Sequence, residues 1–114
     1  MIIVTATITF ASEQDRDRAV LLSTPIQQAT RDEEEGCHAY CFSPDPCNPV
    51  AIQVYELWQD SESLVNHFEH PNYAAMLAAF STVGLVESVN RAYLTERDEP
   101  VYGPGFEIRK AFFG

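Results

Sequence analysis

The sequence predicts an α+β domain with the ferredoxin-like order β-α-β-β-α-β and an antiparallel sheet. Three observations carry that reading. Segments 2–10 and 50–58 place apolar side chains at every second residue, the period of a strand. Segments 13–35 and 61–83 place them at three- and four-residue steps, between capping residues and glycines, as helices do. Segment 50–58 is also substantially apolar on both faces, although two helices can cover only one face of a sheet.

At the N-terminus, Ile2, Val4, Ala6, Ile8 and Phe10 share one strand face, with Ile3 and three threonines on the other. Such β-branched residues suit a pleated surface. Ser12 is a good N-cap for a helix reaching Glu35, with Ala19, Leu22, Ile26 and Ala29 along one stripe. Pro25 donates no amide hydrogen and crowds the preceding turn, so a kink or break is expected there. Thr24-Pro25-Ile26-Gln27 itself resembles a new helix start, with Gln27 at the capping-box position. Gly36 then ends the helix.

Strands at about 37–43 and 50–58 are expected as the central pair of the sheet. The turn between them, Ser43–Pro49, holds three prolines and exceeds a two-residue hairpin. Ile52, Val54, Glu56 and Trp58 share one face of the second strand; Gln53, Tyr55 and Leu57 share the other. Asp60 or Ser61 caps a short helix to about Glu69, and Pro71 restarts it with Tyr73, Met76, Leu77 and Phe80 as an apolar stripe. Gly84 leads into a fourth strand from Leu85 to Thr95.

The 114 residues make one domain, residues 1–97, plus an extension, residues 98–114. A sheet apolar on both faces with helices on one calls for a second copy on the other, most simply in an isologous homodimer. The extension carries Val101, Tyr102, Phe106, Ile108, Phe112 and Phe113, too apolar for a free tail, and is expected to pack on the partner subunit.

Seventeen acidic against seven basic residues give a net charge of −10, which disfavours nucleic acid and anionic membrane surfaces as partners. The run Asp32–Glu35 reads as a solvated helix end, although carboxylates there oppose the helix dipole. A basic partner surface, and pairing of that run with Arg109 and Lys110, are the alternatives. No stretch has the roughly 18 to 20 apolar residues of a membrane span. Segment 1–10 has no basic leader and reads as a strand, so a cytoplasmic protein is expected. Cys37 and Cys41 on one strand lie about 13 Å apart, too far to share a zinc ion or a disulfide. The three cysteines, with Cys47 in the turn, are expected to be free thiols, and no metal is expected.

Chemistry is expected where the second strand of the pair meets the helix beyond it. Glu56 and Trp58 share a face, and His67 lies about two turns into that helix. Histidine titrates near neutrality and can take a proton from a phenol, whose anion is more easily oxidised by dioxygen. The indole offers a flat apolar wall, and Glu56 could hold the imidazole in one tautomer. An acid among apolar neighbours needs a partner, whether His67, Arg91, a backbone amide or a dimer mate. Tyr40, Asn66 and Arg91 are expected to line the same pocket. The competing reading for each is a residue serving only packing or pairing.

Gly36-Cys37 after an acidic helix, Tyr40, the Glu56-x-Trp58-x-Asp60 strand end, His67 and the His70-Pro71 helix start resemble the antibiotic biosynthesis monooxygenase family over roughly residues 1 to 95. The resemblance implies a dimeric α+β barrel and a cofactor-independent monooxygenase acting on a quinol or polycyclic phenol, with His67, Glu56 and Trp58 at the site. A non-oxidative isomerase of a small metabolite and a non-catalytic dimeric ligand-binding domain are the alternatives. An apolar slot would favour the first; a His, Glu and Arg cluster would favour the isomerase. No glycine-rich phosphate loop or His-Glu-x-x-His indicates a nucleotide cofactor or a metal. Haem-degrading relatives use a first-strand Asn and a late-helix His; here Thr5, Thr7 and Thr9, then Met76 and Leu77, stand there, which disfavours haem.

Overall fold

A computed structural model describes all residues, Met1–Gly114. Strand β1 (Ile2–Phe10) leads into helix α1 (Glu13–Glu33), then strands β2 (Cys37–Pro44) and β3 (Ala51–Trp58). Helices α2 (Ser61–Glu69) and α3 (Pro71–Val83) precede strand β4 (Leu85–Leu94). The four strands form one antiparallel sheet in the order β2-β3-β1-β4. The predicted order β-α-β-β-α-β is therefore the observed one, with the second helical unit divided at His70. One correction concerns the centre of the sheet: it is β1 and β3, while β2 is an edge.

Caps act where the sequence places them. Ser12 accepts from the amide of Asp15, Asp60 from that of Ser63, and Gly84 closes α3 at a left-handed φ of 98°. Helix α1 runs unbroken through Pro25, so the expected break does not occur. The lost helical bond falls at Leu21, on the solvent side, where water can satisfy the carbonyl.

The buried face of α1 is only partly the one expected: Ala19 is buried and Ile26 packs against the core. Leu22 is exposed, and the inward residues are Arg16, Ala19, Ser23, Gln27 and Thr30. The reason lies in the edge strand. Phe42 donates its amide to Gln27 Oε1 (2.9 Å) and accepts from Gln27 Nε2 (3.2 Å), while Arg31 Nε donates to the Tyr40 carbonyl (2.7 Å). These side chains take the bonds that a further strand would make, which blunts the edge. Arg16 likewise donates to the Ala51 carbonyl at 3.0 Å.

The core is the helix-side face of the sheet: Ala6, Ile8 and Phe10 of β1, Tyr40 and Phe42 of β2, Ile52, Val54 and Trp58 of β3, with Ala19, Met76 and Phe80 from the helices. On the opposite face Tyr55, Val89 and Tyr93 remain exposed. The segment after β4 forms a small hairpin of β5 (Tyr102–Gly103) and β6 (Glu107–Ile108) around a 3-10 turn, Pro104–Phe106. It is held by its own contacts: Arg109 donates to Glu99 at 2.7 Å, and its guanidinium lies over Phe112. Phe106 and Ile108 are 83% and 79% exposed. The radius of gyration, 15.9 Å, exceeds the about 13 Å of a compact chain of this length. The hairpin accordingly stands off the domain.

Candidate functional site

The site begins at a glycine. Gly36 adopts φ 82°, and a Cβ there would lie 2.1 Å from Ser63 Oγ. Only glycine lets the end of α1 press this closely on the first turn of α2. The Gln59 amide donates to the Gly36 carbonyl at 2.8 Å and closes the same corner. The packing carries Glu34, the residue capping α1, to His67 on α2.

His67 Nδ1 and Glu34 Oε1 are 2.6 Å apart, and the two residues are only 3% and 8% exposed. A carboxylate only accepts, so Nδ1 carries the proton in this contact, and in the neutral imidazole the lone pair lies on Nε2. Nε2 has no hydrogen bond within the chain. Thr30 Oγ1 is the one side-chain polar atom both sealed and unpartnered, so Nε2 is not sealed, and His67 lines the cavity beside it. Asn72 Nδ2 donates to Glu34 Oε2 at 3.2 Å, which fixes the carboxylate from its other side. His70 Nδ1 accepts the Asn72 amide and caps α3. Aromatic rings enclose the imidazole: Trp58 at 4.7 Å, Tyr40 and Tyr73 at 5.4 Å, Phe68 at 5.9 Å.

Glu56 has a different partner. Trp58 Nε1 donates to Glu56 Oε1 at 2.9 Å. Burial pushes the Glu56 carboxyl up to about 7; the indole bond opposes that shift and the charge of Glu34 adds to it. Near neutral pH this group exists in both forms. Burial likewise raises the Tyr40 phenol far above its usual range, helped by Glu56 and Glu34, and keeps it neutral. Cys37 is pushed up to about 11, chiefly by burial, and remains a thiol.

Glu56 and His67 look into a cavity of about 670 Å³ between the sheet and helices α2 and α3. Ten of its 16 lining residues are hydrophobic, so an apolar ligand would displace water from most of its wall. Val4, Ile8, Phe42, Met76 and Phe80 form the deep part; Phe68, Leu77 and Leu85 lie nearer solvent.

Several expectations need correction. Glu56 does not hold the imidazole; Glu34 does, out of an acidic run that had read as fully solvated. Nor does that run reach Arg109, which pairs with Glu99. Trp58 is fully buried behind His67 and is not an open wall. Tyr40 packs beside the imidazole at full burial and is also off the cavity surface. Asn66 lies on the exposed side of α2, facing a small polar hollow with Asp60 and Glu62. Arg91 opposes Thr5 of β1 and points to the uncovered face, so it can be neither pocket lining nor counter-ion for Glu56. Its neighbour Asn90 lines the cavity instead. Glu34 left one signal in the sequence: a carboxylate at the wrong end of a helix dipole, a position that costs stability unless a partner offsets it.

No helix is long and apolar enough to cross a membrane, and no curated protein matches the sequence. The chain is 25% identical to a candidate antibiotic biosynthesis monooxygenase from Deinococcus radiodurans, over 90% of this chain and 100% of that one, with a TM-score of 0.79. It also superimposes on candidate antibiotic biosynthesis monooxygenases from Caulobacter crescentus (TM-score 0.74, 14% identity, 84% and 91% covered) and Nitrosomonas europaea (0.69, 14%, 83% and 98%). At that identity the likeness is one of fold. The antibiotic biosynthesis monooxygenase profile matches residues 1–79, which span β1 through most of α3 and hold Glu34, Glu56, Trp58 and His67. The chain belongs to the antibiotic biosynthesis monooxygenase family.

Proposed function

We propose that the protein is a cofactor-independent monooxygenase that oxidises a quinol or polycyclic phenol with dioxygen. The observation that carries this is the buried Glu34–His67 pair, which leaves one imidazole nitrogen open in the wall of an otherwise apolar cavity. The apolar lining, and Arg91 on the opposite face, favour an aromatic ligand over the small polar metabolite of an isomerase. The free lone pair of Nε2 favours a reacting site over a purely structural pairing.

His67 Nε2 takes a proton from the substrate, and Glu34 stabilises the imidazolium that forms. The substrate anion passes electrons to dioxygen, and a carbon–oxygen bond closes to a hydroperoxide. Loss of water then gives the quinone: one oxygen atom stays on the ring carbon and the other leaves with two hydrogens from the substrate. Glu56, with its carboxyl near 7, supplies the proton that the departing hydroxide needs. Desolvation raises the basicity of the substrate anion and strengthens each interaction in the cavity.

The working unit in this proposal is a homodimer. Exposed Tyr55, Val89 and Tyr93 on the uncovered face, and the apolar hairpin of residues 98–114, supply the surface for it. Three free thiols accord with a cytoplasmic setting. The test is oxygen uptake with a panel of hydroquinones and anthrones, without added cofactor. Uptake that is stoichiometric with quinone formation is expected; a panel that leaves oxygen untouched at high enzyme concentration overturns the proposal.

A further inference from the structure

Besides Tyr73 and Ser81 of α3, two separated sets of polar groups line the cavity. One is Glu56 with His67. The other is Asn90 with Ser88, on the same face of β4, at the open flank. Asn90 Nδ2 donates to Ser88 Oγ at 3.0 Å, and Ser88 Oγ lies 3.2 Å from Asn90 Oδ1. The serine hydroxyl thus lies within hydrogen-bond reach of both amide atoms, while the second amide hydrogen and a carbonyl lone pair stay free.

Strand register gives the separation of the two sets. Val4 opposes Glu56 on one side of β1, and Ala6 opposes Asn90 on the other. The two Cα atoms are therefore two inter-strand spacings across and two residues along, about 12 Å apart. Val4 and Ala6 of β1 lie between them. A single phenol ring held beside Glu56 stops short of Asn90. A rigid skeleton of two or three fused rings spans the gap, and an oxygen at its far end meets a donor and an acceptor already held in place.

We propose that Asn90, braced by Ser88, is a specificity-determining residue that reads an oxygen substituent at the far end of an elongated fused-ring phenol. This rests on the reading of the cavity as an aromatic-substrate site and adds to it the length and polarity of the substrate. The hydrogen bond is neutral and near solvent, so its effect is on selection among ligands and not on the chemical step.

Two ligands whose central ring is already oxidised to the quinone separate this inference from the proposed reaction: 2,6-dihydroxyanthraquinone and 2-hydroxyanthraquinone, titrated by absorbance into the full-length protein. The wild type is expected to bind the diol more tightly. Asn90→Ala is expected to weaken the diol about three- to tenfold and to leave the mono-ol within about twofold; Ser88→Ala is expected to do the same to a smaller extent. Equal weakening of both probes, or none of either, overturns the role of Asn90 while the aromatic site stands. Failure of both probes to bind the wild type overturns the aromatic site and the inference with it.

Discussion

At one edge of the sheet, Gln27 and Arg31 occupy the outward backbone groups of Phe42 and Tyr40; at the other, every residue of β4 from Leu85 to Leu94 is exposed. The first flank is complete within one chain. Two helices seal it, Trp58 and Tyr40 are fully buried in it, and the Glu34–His67 pair sits at its corner. The second flank is the outer wall of the cavity, and it continues into a hairpin whose aromatic residues touch little beyond themselves. The proposed reaction accordingly assigns proton chemistry to the flank with the 2.6 Å Glu34–His67 contact, and the proposed substrate selection to the open one. Each perturbation below acts on one flank and predicts an outcome that the other flank would not give.

The largest effect is expected at the rigid corner. His67→Ala removes the only free imidazole nitrogen in the cavity, and turnover should fall about a hundredfold or more. Glu34→Gln keeps an acceptor for Nδ1 but withdraws the charge that stabilises the imidazolium, so its loss should be smaller than that of His67→Ala. Steady-state rates on a confirmed substrate, with circular dichroism as the control for folding, check both. Full activity in His67→Ala would show that the rigid flank is scaffold only.

Gly36 is expected to give the next largest effect. An added Cβ must move Ser63 and must hold a left-handed backbone, together about 2 to 4 kcal/mol. Denaturant unfolding of Gly36→Ala should register that loss. Adding Ser63→Gly should recover only the part due to crowding, because the backbone conformation remains.

Glu56 gives a pH signature. Its carboxyl in the fold lies near 7, above the 4.5 of the free group, so folded protein holds a proton that unfolded protein has released between those values. The associated stability is fully present below about pH 4.5 and is lost as pH rises through 7, by about 3 kcal/mol at most. Glu56→Gln should therefore gain stability over the wild type from pH 5 to pH 8. Unfolding midpoints at the two pH values measure the difference, and a gap that does not widen would place the Glu56 carboxyl near its ordinary value.

The same contrast explains what could be read from the sequence. Strands β1 and β3 were legible because their buried faces recur at period two and are apolar apart from Glu56, and the caps Ser12, Asp60 and Gly84 fix the helices between them. Helix α1 was misread because it covers backbone at a sheet edge. That task needs Gln27 and Arg31, which an apolar stripe does not reveal. The Glu34–His67 contact joins residues 33 apart and depends on the close approach at Gly36, which no local pattern encodes. Arg91 and Asn90 exchanged roles by one step of strand parity. In β4 both faces carry apolar residues, Val89 on one and Leu94 on the other, so the sequence leaves the phase open.

The smallest effect is expected at the hairpin, and it decides what completes the open flank. Met1 and Thr95 already exchange hydrogen bonds, so a chain ending at Arg97 keeps the sheet closed and should retain its far-UV circular dichroism. What it loses is Tyr102, Phe106, Ile108, Phe112 and Phe113, whose apolar area the isolated domain leaves largely in water. If those residues pack on a second copy, folding of the full chain is coupled to association, and its melting temperature should rise by a few degrees with protein concentration. The shortened chain should melt lower and with weaker dependence on concentration, and light scattering should show it dissociating more readily. A full chain that melts at the same temperature at all concentrations and scatters as a monomer would leave the hairpin without a partner. The open flank would then have to be closed by the ligand alone.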